Sequence, residues 1–233
     1  MSEGKWYVSL GFVLQPKNMS KWNELQQKLV TMKLNRLSAQ HCITATKIEL
    51  ARIHLGNLAL MLPSGKVTDL TPVSRNIDNS LTFEVPNLTK LLPFITEYEA
   101  FLFSLTSAFD CFLAQLNKIC TLEIPDREVT LKKVREKISK KFDSEDELAR
   151  YILAVYNAKW FRYLGDLRNL SAHQVIPFPV LANNLRLYLP AKPKVIEPNF
   201  IVEYVDFFAQ LNGLLDKMES WLNFGYGLIL TLI

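Results

Sequence analysis

Over residues 5–15, KWYVSLGFVLQ, apolar side chains recur at every second position: Trp6, Val8, Leu10, Phe12 and Leu14. That period predicts a strand, ended by Pro16 and Asn18. From Ser20 to Leu62 the period becomes helical, with no proline and Gly56 as the single glycine. One very long helix is expected there, or two broken near Gly56, with Ser20 as a cap. Residues 63–80, PSGKVTDLTPVSRNIDNS, have the composition of a loop. Leu81, Phe83 and Val85 then suggest a short second strand.

The strongest helical pattern runs from Leu88 to Ile119 and tolerates Pro93 near its start. Within FLFSLTSAFDCFLAQLNKI, the positions Ser107, Asp110, Ala114 and Asn117 fall at offsets 0, 3, 7 and 10 and share one face. A stripe of that kind on a helix so rich in Phe and Leu is a buried hydrogen-bonded network, a solvated face, or support for a site on a neighbouring helix. Ser144 with Glu147 forms a capping box for a further helix from Glu145 to about Ala172. Leu148, Ile152, Val155, Trp160, Leu164 and Leu167 form its apolar side. Pro177 and Pro179 stop it. VLANNLRLYL (180–189) reads as strand, Asn-Asn turn, strand. Pro190, Pro193 and Pro198 bracket an extended segment, and a last amphipathic helix is expected over Asn199 to Leu230. Four long helices, one shorter basic helix and a few strands predict a mainly α chain. The expected architecture is an antiparallel helical bundle with a small β appendage. Residues 1–88 would supply a strand and long helix packing onto a core formed by 89–233.

Composition adds limits. The 233 residues are 49% hydrophobic and 11% aromatic, enough for a sizeable core and against disorder. Cys42, Cys111 and Cys120 form no CxxC pair, the pattern of a reduced, cytoplasmic protein and not of a zinc site or disulfide framework. No leader peptide is read at the N-terminus. The apolar C-terminal run WLNFGYGLILTLI is too short to span a bilayer and is expected as the buried end of a core helix, with packing against a partner as the second option. The net charge of +4 implies no partner by itself, but residues 127–141, REVTLKKVREKISKK, hold seven Lys or Arg against two Glu. Such a helix is either a solvated face or a grip for phosphates. No HExxH, Cys-His spacing, carboxylate cluster or glycine-rich phosphate loop is present, so no cofactor is expected.

The stretch Arg162 to Gln174, RYLGDLRNLSAHQ, places Asn169 and His173 four apart, and so on one helix face, with Arg168 beside them. Arg168-Asn169-x-x-x-His173 resembles the RxxxxH signature of HEPN domains (higher eukaryotes and prokaryotes nucleotide-binding), in which Asn often follows the Arg. SAFDCFLAQLN (Ser107 to Asn117) resembles the second core helix of a longer HEPN branch, and the resemblance extends over roughly residues 89–230. Arg36 and His41 repeat the bare spacing. With Leu after the Arg and a long helix around them, they are expected to be structural or exposed. His54 has no Arg at that spacing and is given no role.

The resemblance implies a helical bundle that cuts RNA without metal, the ribose 2′-OH attacking the adjacent phosphate. That reaction needs a base, an acid and positive charge on the phosphate. His173 can transfer protons near neutral pH. Arg168 can make paired hydrogen bonds to phosphate. Asn169 could orient His173 or bind substrate, and Asp110 could hold Arg168 or the imidazole. One such His per chain implies a homodimer that brings two motifs together. Toxin–antitoxin or antiviral defence systems use nucleases of this kind, so an antitoxin or other protein partner is implied. The alternatives are a non-catalytic HEPN-like module binding RNA, nucleotide or protein, and a plain helical dimerisation domain.

Overall fold

The computed structural model describes residues 20–61, 71–75, 81–84, 88–173, 180–181, 187–190 and 204–233. The strand expected over Trp6 to Leu14 lies outside these residues, as do Pro177, Pro179, Pro193 and Pro198. The described chain is mainly α, built from α1 (Ser20–Thr31), α2 (Asn35–Met61), α3 (Leu88–Ile119), α4 (Leu131–Lys141), α5 (Glu147–Asn157), α6 (Lys159–His173) and α7 (Phe207–Leu232). Strands are short. β1 (Thr71–Arg75) pairs antiparallel with β2 (Leu81–Glu84), so part of the expected loop is strand. β3 (Val180–Leu181) pairs antiparallel with β4 (Leu187–Pro190), as expected, and β5 (Tyr204–Asp206) adds to β4, whereas the Asn-Asn turn lies outside the described residues. The last helix therefore starts at Phe207 and not Asn199, capped by Asp206, whose carboxylate accepts from the Ala209 N–H at 2.8 Å.

The first helical region is divided, but at Met32–Leu34 and not near Gly56. Lys33 takes φ 57°, its N–H donates to the Val30 carbonyl, and the Leu34 N–H donates to the Leu29 carbonyl. These two bonds make a Schellman cap. Buried Leu29 and half-buried Leu34, both in the core, favour the turn more than the left-handed lysine opposes it. Gly56 sits mid-helix with nothing against its Cα.

The single helix expected from Glu145 is also two. Asp146 caps α5, accepting from the N–H groups of Leu148 and Ala149, while Ser144 donates to Asp143 instead. The expected capping box is therefore displaced by the better-placed carboxylate. At Ala158 the backbone turns extended (ψ 122°), and Arg162 Nη2 donates to the Asn157 carbonyl at 2.7 Å, satisfying an acceptor that the break frees.

Contacts at separate levels fix the helix directions. Lys47 lies over Phe103 and His54 bonds Glu97, so α2 runs antiparallel to α3. Phe161 packs on Phe109 and Ser171 bonds Glu99, so α6 is also antiparallel to α3. Phe94 meets Phe207 and Phe112 meets Tyr226, so α7 runs parallel to α3. One contiguous core joins α1 to α7, centred on Trp22, Tyr98, Phe101, Phe109, Phe112, Phe207 and Tyr226. Arg52 of α2 pairs with buried Glu219 of α7 across it. Among the described residues, no helix is long and apolar enough to cross a membrane.

Candidate functional site

Asn169 is exposed and Arg168 half-buried near the end of α6, and Arg168 Nη1 donates to Asn169 Oδ1 at 3.3 Å. The helix continues without fraying to His173, whose side chain lies outside the described part of the structure. A regular helix at 100° per residue sends residues 168 and 173 out about 140° apart, whereas 169 and 173 stay on one face. Positions 168 and 173 of one chain therefore lie on different faces of α6.

Ser171 anchors this stretch to α3, its Oγ donating to Glu99 Oε1 at 3.0 Å. The antiparallel register set by Phe109–Phe161 and Glu99–Ser171 places residue 173 opposite residue 97. Asp110 is thirteen residues further along α3, about 20 Å by helix rise. Its carboxyl is exposed, yet the surrounding protein bulk raises its pKa, and the Arg168 charge pulls it back part of the way. No ion pair within 4 Å joins the two among the described residues.

Of the α3 stripe, Ser107 and Ala114 are half-buried and Asp110 exposed, but Asn117 is buried. Asn117 Nδ2 donates to the Ile124 carbonyl at 2.7 Å and its Oδ1 accepts from the Ile124 N–H at 3.1 Å. That clasp holds the chain where it leaves α3 through Thr121 and Glu123, both at positive φ. The role of Asn117 is structural.

His41 is fully buried, stacked on Trp22 at 4.5 Å and 14° and met edge-on by Tyr226. Its Nε2–H donates to the Trp22 carbonyl at 2.8 Å. Burial lowers its pKa to about 4 despite the opposing bonds to Trp22 and Gln115. His41 is thus a neutral core residue, and the Arg36 side chain lies outside the described part.

The second histidine has partners that local spacing could not reveal. His54 Nδ1 lies 2.7 Å from Glu97 Oε2, which also accepts from Asn57 Nδ2 at 3.0 Å. Burial raises the Glu97 pKa, but the bonds from His54 and Asn57 and the His54 charge outweigh it, and the net shift is downward. Glu97 and Glu99 thus bind α2 and the RNLSAH stretch respectively, from positions two apart on α3.

The basic helix is α4, capped by Thr130 and inserting Val134 and Ile138 into the core. Several of its charges have structural partners. Lys141 Nζ bonds the Cys120 carbonyl at the end of α3, Lys133 pairs with Glu128, and Arg135 lies over the Tyr156 ring at 4.0 Å. Lys132, Lys137 and Lys140 are exposed.

A cleft of about 440 Å³ opens between α5 and α7, walled by Tyr151, Trp221 and Phe224, with Glu147 and Arg150 at its edge. Glu147/Arg150 and Trp221/Phe224 each have the i, i+3 spacing of one helix face, but only the pairing of α5 with α7 brings them together. Among the described residues, no group of His, Cys, Asp or Glu is arranged to hold a metal ion. No family model, curated protein or solved structure matches the chain. The fold and its surface define a mainly α helical bundle.

Proposed function

We propose that the chain is a cytoplasmic, metal-independent endoribonuclease of the HEPN type, acting as a homodimer. The observation that carries this reading is the Arg168-Asn169-x-x-x-His173 stretch closing α6, pinned to α3 by Ser171 and Glu99. In the reaction, one His173 removes the ribose 2′-OH proton as the oxygen attacks phosphorus. The partner subunit's His173 protonates the leaving 5′-oxygen. Arg168 neutralises the crowded phosphate, and Asn169 contacts substrate. The products are a 2′,3′-cyclic phosphate and a 5′-OH. The divergence of residues 168 and 173 on one helix favours convergence across two chains over assembly within one. Asp110 acts through the charge of Arg168 and not through the imidazole. A role in toxin–antitoxin or antiviral defence, with an antitoxin as partner, accompanies this reading.

Mixed dimers test the arrangement. Arg168→Ala and His173→Ala chains are each expected to be inactive, and, because both His173 side chains act in one site, a parent chain paired with a His173→Ala chain is expected to be inactive as well. Parent/His173→Ala heterodimers that keep about half of the parent's cleavage would refute the shared site.

The same divergence favours one second reading, a HEPN-like RNA- or nucleotide-binding module without turnover. Its mark is RNA binding to the parent chain, reduced by Arg168→Ala, with no cleavage of any RNA tested.

A further inference from the structure

We propose that the α5–α7 cleft is a binding site for a guanine base. The cleft's volume of about 440 Å³ lies within the roughly 300–1,000 Å³ typical of small-ligand sites. Its walls are aromatic. Tyr151 lies 5.5 Å from Trp221 at 34° and 5.7 Å from Phe224 at 46°. The Tyr151 hydroxyl donates to the Trp221 carbonyl at 2.9 Å, which locks the back wall. Phe224 remains 58% exposed, an apolar ring left at the mouth of an aromatic cleft. Tyr151 is only 3% exposed and its ring is taken up by Trp221 and Phe224, so a flat ring system would stack on the open face of Phe224 at the mouth.

The polar groups narrow the choice. Glu147 and Arg150 stand one turn apart on α5 and both line the cleft, yet they do not pair with each other. The Arg150 ion pair is the loose one with exposed Glu145 at 4.0 Å, and Glu147 has none among the described residues. A carboxylate offers two acceptor oxygens, and a guanidinium offers a fork of donors. Guanine matches both from one ring: N1–H and the N2 amino group donate side by side, while O6 and N7 accept, the pair that Arg recognises in nucleic acids. Adenine and cytosine present a single exocyclic donor group, and uracil a lone N–H between two carbonyls. Ser220 adds a hydroxyl at the rim. Because Glu145 and Glu147 flank Arg150, the base and not a phosphate carries recognition.

The inference stands apart from the nuclease reading, since neither Arg168 nor His173 lines the cleft. Calorimetric titration of the full-length His173→Ala chain keeps the two separable, because binding is read whether or not the parent cleaves RNA. Guanosine and guanosine 5′-monophosphate are expected to saturate one site with affinities within about threefold of each other. Adenosine 5′-monophosphate is expected at least about tenfold weaker. Glu147→Gln, an exposed change, should cost guanosine about tenfold with an unchanged melting temperature, and Phe224→Ala should weaken it by a similar factor. Pentamers UUGUU and UUUUU distinguish the source. Tighter binding of UUGUU than of guanosine assigns the site to a base within an RNA strand, and equal or weaker binding assigns it to a free nucleoside or nucleotide. No saturable guanosine binding, or equal binding of adenosine 5′-monophosphate with Glu147→Gln indifferent, overturns the proposal.

Discussion

Gly225 of α7 faces the buried Phe112 ring and the Tyr151 ring that lines the cleft. A Cβ placed there would lie 2.7 Å from Phe112 Cζ, 2.7 Å from the Tyr151 hydroxyl and 2.9 Å from Tyr151 Cζ. Neither ring can yield cheaply: Phe112 is fully buried, and Tyr151 is held by its bond to the Trp221 carbonyl. Overpacking of this kind costs about 1–3 kcal/mol, and the anchored rings put Gly225→Ala in the upper part of that range. Alanine's better helix propensity returns about 1 kcal/mol. The net expectation is a loss of about 1–2 kcal/mol, which lowers Tm by about 2–8 °C for a chain of this size. At Gly213, on the same helix, an added Cβ would have nothing within 4 Å. Gly213→Ala should therefore gain about 0.5–1 kcal/mol and raise Tm by about 1–4 °C. Thermal melts followed by circular dichroism compare the two directly. If Gly225→Ala is stabilised as Gly213→Ala is, α7 does not pack against Phe112 and Tyr151 in this way.

His41 makes stability depend on pH in a stated window. Its pKa is about 4 when folded against 6.5 for an ordinary histidine, so between those values the unfolded chain binds a proton that the folded chain refuses. Stability from this residue is complete above pH 6.5 and falls by about 3 kcal/mol as pH drops to 4. Urea melts of the parent and His41→Gln should show the variant less stable at pH 7 but with a flatter slope over that range; parallel slopes would contradict the burial. Asn117→Ala strips the partners from the buried Ile124 N–H and carbonyl, and should cost about 2–4 kcal/mol in the same assay. A cost below about 0.5 kcal/mol would show that the clasp is dispensable. The buried position of His41 also means that His41→Ala tests the core and not a nuclease site.

The sequence shows the helices well because their apolar periodicity is what the core requires. It hides both helix breaks. At Lys33 a cationic residue takes a left-handed conformation that composition does not advertise, stabilised by tertiary burial of Leu29 and Leu34. At Ala158 no glycine or proline marks the turn, and the capping group is the side chain of Arg162. Asp206 was a readable cap, since an Asp ahead of Phe207 and Phe208 has the form of a helix start. The stripe on α3 was legible as a face, but only packing separates buried Asn117 from exposed Asp110. The His54–Glu97–Asn57 clasp and the α5–α7 cleft were invisible for one reason. Each depends on which helices become neighbours, and periodicity within one helix does not record that.

RNA cleavage in excess EDTA is the decisive test of the RNLSAH stretch as a nuclease site. Parent protein and His173→Ala are compared on structured and single-stranded RNAs, with the new termini assigned by phosphatase and kinase treatment. Cleavage is expected to survive chelation, to leave 2′,3′-cyclic phosphate and 5′-OH ends, and to be lost in a folded His173→Ala chain. Cleavage that persists in His173→Ala, or that requires a divalent cation, would contradict that site.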